Sequence, residues 1–203
     1  TLVVAGIVEQ LTGEKLPAIL AREWFEPLGM QSTRLGSAGL AHERIVRVEV
    51  PEYQQGGEDY DWNSRYWREL GSPWGGMFSS AEDVAVLCQL LLAGGTYGGR
   101  RYLSRATVER MTTNRLDDLP DLPEGVRRTQ PWGLGWRLNH PDIDDSWGDL
   151  LSPRAFGHTG ATGTMVWIDP EKDGFCVLLT NALRASDPGR LVKLSNALAA
   201  AFV

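Results

Sequence analysis

Three adjacent residues, His158-Thr159-Gly160, followed at once by Ala161-Thr162-Gly163, are the part of this chain best suited to hold a ligand against the backbone. A histidine ring exchanges its proton near neutrality, with an unperturbed pKa of ~6.5, where a lysine at the same place stays charged. A threonine hydroxyl can both donate and accept a hydrogen bond. A glycine directly after them removes a side chain, so a ligand can lie against the backbone and meet its N–H groups. Together they describe a substrate shelf on a sheet edge. The competing reading of the same tripeptide is a bulge or bend, with His158 hydrogen-bonded within the sheet.

The residues around the tripeptide must place it. Arg154 to Thr159 reads as an extended segment, Thr164 to Asp169 is rich in strand formers, and Phe175 to Thr180 is a second apolar run. Asp169-Pro-Glu-Lys-Asp-Gly174 is dense in turn residues. The pattern predicts one short strand carrying His158, followed by a hairpin. Upstream, residues 1–12 have helical apolar spacing and end at Gly13, a natural C-cap. Residues 15–26 form a second helical run with Leu16, Ile19, Leu20 and Phe25 as its stripe, ended by Pro27-Leu-Gly-Met30. Ile45 to Val50 alternates like a short strand, and Gln54 to Arg68 is polar, with aromatics expected to pin a loop. Gly71-Ser-Pro-Trp-Gly-Gly76 is a tight bend. Ser79 or Ser80 caps a helix running to about Leu92, with Val84, Leu87, Cys88, Leu91 and Leu92 inward. Ser104 caps a helix from Arg105 to Thr112, residues 114–131 read as loop, and Trp132 to Trp136 begins a return to sheet. A closing helix from about Pro188 to Phe202 presents Leu191, Leu194, Leu198 and Phe202.

The other candidate chemistry is thin. His42 and His140 lie in polar loops that show no partner pattern in the sequence, and with no His-Glu-x-x-His or Cys/His spacing no metal site is expected. Asp142, Asp144, Asp145 and Asp149 lack the alternation of a calcium loop and read as a solvated acidic loop. Gly94-Gly-Thr-Tyr-Gly-Gly99 is a turn rather than a phosphate loop, since no Gly-Lys-Ser/Thr follows. No cofactor is implied. Cys88 and Cys176 sit in apolar runs and read as buried thiols, with a disulfide between them left open. A net charge of −6, without basic clusters, argues against nucleic acid or an anionic membrane as partner. At 203 residues and 42% apolar content, one domain or one lobe of a larger domain is expected. No span-length apolar run or signal peptide is visible, which leans the reading toward the cytoplasm.

Four blocks in order carry a resemblance: Gly6-Ile-Val-Glu-Gln-Leu-Thr-Gly13, Pro27-Leu-Gly-Met-Gln-Ser-Thr33, Gly71-Ser-Pro-Trp-Gly-Gly-Met-Phe-Ser-Ser-Ala-Glu-Asp-Val84, and Phe156-Gly-His-Thr-Gly-Ala-Thr-Gly163 with Asp169-Pro170 and Leu179-Thr-Asn181 behind it. Over almost its whole length the chain resembles the β-lactamase/penicillin-binding-protein-like serine hydrolases, which include class C β-lactamases, D,D-peptidases, D-aminopeptidases and esterases. The resemblance implies an α+β fold of antiparallel strands with flanking helices, and residues 1–203 as the C-terminal part of a single domain. It implies acyl transfer through a serine ester on an amide, ester or lactam. His158 would face the cleft, Thr159 would offer its hydroxyl, Gly160 would admit the substrate, and the Ala161 N–H would be one half of the oxyanion hole. Trp74 would wall the cleft and Gly76 border it. Histidine in place of lysine is similar to the D-aminopeptidase and esterase branches.

The family's nucleophile lies in a Ser-x-x-Lys motif and its second motif is Tyr-x-Asn. Neither occurs in these residues. The chain opens on Thr1-Leu-Val-Val-Ala-Gly6, which reads as mid-helix, so the first two motifs are expected upstream or on a second polypeptide. Two readings follow. In one, this is the His-Thr-Gly part of a serine hydrolase. In the other, it is a non-catalytic truncated homologue that binds a ligand or partner. A missing part would leave apolar surface and a sheet edge open, so self-association is expected of the chain alone.

Overall fold

Gly13 adopts the left-handed conformation, φ 72°, that ends the first helix, and its N–H bonds the Glu9 carbonyl. The computed structural model describes residues 1–55, 59–140, 147–187 and 189–202. They divide into two compact units: residues 1–86 with 181–183, and residues 87–180 with 184–203. The Asp142, Asp144 and Asp145 loop and Pro188 lie outside the described residues.

The first unit opens with helix α1 (Leu2–Thr12) and then α2 (Leu16–Leu20). A widened π turn, Ala21–Phe25, follows, and then α3 (Glu26–Leu28). The helical run ends within Pro27-Leu-Gly-Met30 as expected, at Leu28 with Gly29 as its left-handed cap, and Pro27 sits inside the last turn. Proline has no N–H and its ring crowds the preceding turn; the wide turn just before it, closed by Glu26 N–H to the Ala21 carbonyl, accommodates both. Strand β1 (Arg34–Leu35) pairs antiparallel with β2 (Met77–Phe78).

Ile45 to Val50 is extended but joins no ladder among the described residues. Its backbone groups bond elsewhere: the Asn63 amide both accepts from Val48 N–H (2.9 Å) and donates to Val48 O (2.9 Å), and Glu49 N–H donates to Asn181 O (2.8 Å). The polar stretch expected to be irregular contains helix α4 (Arg65–Leu70), capped by Ser64 Oγ, which accepts from Trp67 N–H. Gly71, φ 58°, ends it, and a Cβ there would lie 3.1 Å from Gly36 N, so the bend needs glycine on both counts.

Helix α5 (Ala81–Leu92) begins where expected, and Ser80 rather than Ser79 is its cap, accepting from Asp83 N–H. The fully buried Leu90 was outside the expected inward stripe. The glycine turn after it is a two-residue hairpin joining β3 (Thr96–Tyr97) and β4 (Arg100–Arg101). Gly98 and Gly99 both take positive φ, as such a tight turn demands. Ser104 caps α6 (Arg105–Met111). Residues 114–131, expected as loop, hold a 3₁₀ turn (Leu116–Asp118) and α7 (Glu124–Thr129). Trp132 makes only a bridge to Arg137, and the strand proper is β5 (Arg137–Leu138). The two glycines between them turn too tightly for a strand, and the Leu134 N–H is taken by Met111 O (2.9 Å).

The main sheet has the antiparallel order β5, β6 (Phe156–Thr159), β7 (Met165–Asp169), β8 (Gly174–Leu178), as the strand-then-hairpin pattern predicts. Helix α8 (Arg190–Ala199) lies with its Leu191-Ser195-Ala199 face inward. The expected stripe is only half right. Leu191 is buried, and the Phe202 ring packs edge-on to Trp167 at 5.9 Å, but Leu194 and Leu198 are about two-fifths exposed (40% and 43%). Trp147, Leu151, Ala155, Met165, Trp167, Cys176, Leu191 and Ala199 form one continuous core. Small residues at 195 and 199 let the helix sit close over bulky tryptophans, which is why they, and not the leucines, face in. Both cysteines are buried free thiols.

The His-Thr-Gly edge as candidate active site

Strand β6 holds His158 opposite Val166 and Thr159 opposite Met165 on β7. On its other side β5 pairs only with Phe156 and Gly157. Beyond Gly157, among the described residues, that side of β6 has no strand partner, so the edge at His158 and Thr159 is open. Phe156 and Gly157 are buried while His158 is exposed, so the strand passes from core to surface at the histidine.

His158 is held by two contacts. Its Nδ1 lies 2.8 Å from the Thr159 carbonyl. A carbonyl oxygen only accepts, so Nδ1 carries a proton, and Nε2 is the ring nitrogen not used in this bond. Trp132 packs against the ring edge-on, centroids 5.5 Å apart at 60°. The tryptophan was expected only as a strand residue; nothing local marks it as the neighbour of a histidine 26 positions on.

After β6 the chain turns sharply. Gly160 N–H donates to Thr164 O (2.9 Å), and Gly163 N–H donates to Gly160 O (3.1 Å). This second bond fixes the Gly160–Ala161 peptide plane and aims the Ala161 N–H away from the turn. Ala161 is exposed, and its N–H has no acceptor among the described residues. Its carbonyl accepts from Arg184 N–H (2.9 Å), and the Thr162 carbonyl accepts from Thr180 Oγ1 (2.6 Å). Three carbonyls of the turn are thus tied, while the Ala161 and Thr162 N–H groups have no acceptor among the described residues. Gly160 has a structural duty as well: a Cβ there would run into the Thr164 hydroxyl. Thr159 Oγ1 accepts from Arg184 Nη1 at 3.1 Å. Arg184 was not among the expected site residues, and no motif surrounds it.

Trp74 and Gly76 belong to the first unit. Trp74 is 57% exposed and packs edge-on against Trp67 of α4 at 5.3 Å, which ties the 71–76 bend to that helix. The direction in which a Gly76 side chain would point is filled by the backbone of Gly71 and Ser72, a sufficient reason for glycine. Among the described residues no three His, Cys, Asp or Glu side chains gather as a metal site, and no helix is long and apolar enough to cross a membrane.

Comparison with known proteins places this arrangement. A family profile described as Beta-lactamase matches residues 1–201. An Escherichia coli protein named "Putative D-alanyl-D-alanine carboxypeptidase" is 31% identical over 192 residues, covering 86% of this chain and 42% of the relative's length. A penicillin-binding-protein homologue from Caulobacter crescentus superposes with a TM-score of 0.68 at 21% identity, covering 96% of this chain and 55% of that one. A β-lactamase from Mycobacterium bovis gives 0.65 at 25% identity, covering 98% and 60%. The mixed helix and antiparallel-sheet architecture is that of the two solved structures, and the chain spans 42% of the length of the carboxypeptidase-named relative and 55% and 60% of theirs.

Proposed function

The chain belongs to the beta-lactamase family, and from that premise we propose that it supplies the His-Thr-Gly wall and one oxyanion donor of a serine hydrolase. The observation that carries this reading is the exposed Ala161 N–H, without an acceptor among the described residues and three residues from His158, whose Nδ1 is spent on the Thr159 carbonyl. A preorganised backbone donor of this kind acts where charge develops on a carbonyl oxygen in acyl transfer. The substrate is an amide, ester or lactam with its acyl group along the open edge of β6. The carboxypeptidase name of the relative favours a D-alanyl amide among these. The acyl-serine forms on a Ser-x-x-Lys serine outside residues 1–203, in the same or a second polypeptide. Support for such a covering part comes from α1, whose Leu2, Val3, Val4, Ile7 and Leu11 are all more than half exposed.

The test is intact mass spectrometry after treatment with a fluorophosphonate probe. An adduct on a longer or second polypeptide, with His158→Ala lowering its turnover by about 10²-fold or more, is the expected result. Absence of any adduct, with this chain alone present, would sink the hydrolase reading. The absence of Ser-x-x-Lys from these 203 residues favours a second reading, a ligand-binding homologue without turnover, which that outcome would select.

A further inference from the structure

We propose that Trp132 is the positioning residue of His158: held in place by Asn114, it keeps Nδ1 on the Thr159 carbonyl and leaves Nε2 as the nitrogen that the edge presents to a ligand. The inference rests on the reading of β6 as the wall of an acyl-transfer site. An imidazole on an exposed strand edge turns freely about its side-chain torsions, and water competes for both nitrogens. Here the ring is held at Nδ1, 2.8 Å from the Thr159 carbonyl, and packed edge-on by the Trp132 indole at 5.5 Å. That separation lies within the range of attractive aromatic pairs. The hydrogen bond selects the nitrogen, and the indole blocks the rotations that would undo the bond. A group that must meet a reacting atom works only when its rotamer is locked by what packs behind it.

The backbone of Trp132 is fastened on both sides. Its N–H donates to Asn114 Oδ1 (3.3 Å), and its carbonyl accepts from Arg115 N–H (2.6 Å). A bridge joins it to Arg137, whose own partner on β6 is Gly157, the residue before His158. The Asn114 amide spends its remaining bonds on the same segment. Its Oδ1 also accepts from Leu116 N–H (3.2 Å), and its Nδ2 donates to the Arg127 carbonyl in α7 (3.0 Å). One side chain thus ties the excursion from 114 to 132 at its start, in α7 and at its return. The excursion is a closed, internally bonded loop that delivers an indole to a set place beside the strand.

The experiment reads the ring nitrogens of His158 by long-range ¹H–¹⁵N correlation in the full chain, in alkaline buffer where the neutral tautomers are compared. His158→Gln assigns its signals among the three histidines. The unsubstituted chain is expected to show a protonated Nδ1 and an unprotonated Nε2. Trp132→Ala is expected to lose that pattern, the two ¹⁵N shifts moving together as the tautomers average. Trp132→Phe, which keeps an aromatic ring there, retains it. Asn114→Ala is expected to lose the pattern, whereas Asn114→Asp, which keeps an acceptor for the Trp132 N–H, retains it. The indole signal of the core residue Trp167 reports that each variant is folded. Should Trp132→Ala fail to fold, Trp132→Leu, which fills the space without a ring, is expected to lose the pattern. A tryptophan with a structural role alone would change stability and leave the tautomer as it is. An unchanged tautomer in folded Trp132→Ala or Trp132→Leu therefore overturns the inference, as does an Nε2-protonated ring in the unsubstituted chain. An unchanged tautomer in Asn114→Ala overturns the part given to Asn114. None of these readings needs a serine or a substrate. A tautomer that depends on Trp132 without any fluorophosphonate adduct sinks the hydrolase reading and keeps the positioning; an adduct with an unchanged tautomer does the reverse.

Discussion

Helix α1 and strand β7 are both written in strongly apolar letters, Leu2-Val-Val-Ala-Gly-Ile-Val8 against Met165-Val-Trp-Ile168, and they meet opposite ends. On β7, Met165, Trp167 and Ile168 are 1% exposed or less. On α1, Val3 is 76% exposed and Leu11 82%. Strand β7 is laddered on both edges, by β6 and β8, and its Trp167 lies under α8 in a continuous core. Helix α1 has only the short α2 beside it among the elements it touches repeatedly. Hydrophobic residues stabilise a fold only through the surface that covers them, so an apolar run says that a cover is wanted and not that it is present.

The contrast can be broken most forcefully from the buried side. Trp167→Ala is expected to cost about 3–5 kcal/mol, the range for emptying a large aromatic site in a core, and urea unfolding would read it directly. A cost below about 1 kcal/mol would mean that the core around β7 is not the stabilising centre of its unit.

Asp169, fully buried at the end of β7, is the next test. Its carboxylate accepts from Ser152 N–H (2.8 Å), Ser152 Oγ (2.6 Å) and Glu171 N–H (3.1 Å), which ties the hairpin to the segment leading into β6. Asp169→Ala removes the acceptor of all three bonds and empties a fully buried site, and is expected to cost about 2–4 kcal/mol. Asp83 does the same for the other unit, accepting from Ser32 N–H (2.7 Å) and Thr33 Oγ1 (2.8 Å). With one donor fewer, Asp83→Ala is expected to cost less, about 1–3 kcal/mol.

A pH series sharpens the same point through the two thiols. Burial pushes Cys88 up from 9.0 to about 12, with the nearby Cys176 adding to it, and burial pushes Cys176 up to about 11. Below pH 9 both folded and unfolded chains keep these protons and nothing is lost. Above it the unfolded chain releases them first, so stability falls as pH rises through 9 toward the folded values. Melting temperatures measured from pH 8 to 11 should decline less steeply in a Cys88→Ala/Cys176→Ala variant; parallel curves would place the thiols in contact with water. The smallest effect is expected on α1, where Leu11→Ser should change the stability of the chain by no more than about 0.5 kcal/mol while reducing any self-association seen by light scattering.

Much of the fold was legible because its signals are local. Gly13 and Ser104 each act on residues within a few positions, and the strand formers and turn residues after His158 marked its strand and hairpin. Where the sequence misled, a distant partner had intervened. Ile45 to Val50 has the rhythm of a strand, yet its backbone bonds go to the Asn63 side chain and to Asn181. The residues 114–131, read as loop from their prolines and aspartates, nonetheless contain a helical turn and α7. The site shows the same division. His158, Thr159 and Ala161 were visible as a motif, but Trp132 and Arg184 reach them across 26 and 25 positions and carry no motif of their own.

By itself the sequence determined the kind of chemistry on offer, the order of the β6–β8 hairpin elements, and that α8 would be amphipathic, since residue type and period suffice for those. Only the tertiary structure decided that α8 buries Leu191, Ser195 and Ala199 and leaves Leu194 and Leu198 in solvent. It also decided that Nδ1 is the nitrogen of His158 already spent, that the Ala161 N–H has no acceptor among the described residues, and that Arg184 Nη1 donates to the Thr159 hydroxyl. Each of these depends on which surface or donor the chain path brings alongside. A helical period shows that one face is apolar, and a hydroxyl shows that a bond can be made; neither carries the identity of the partner.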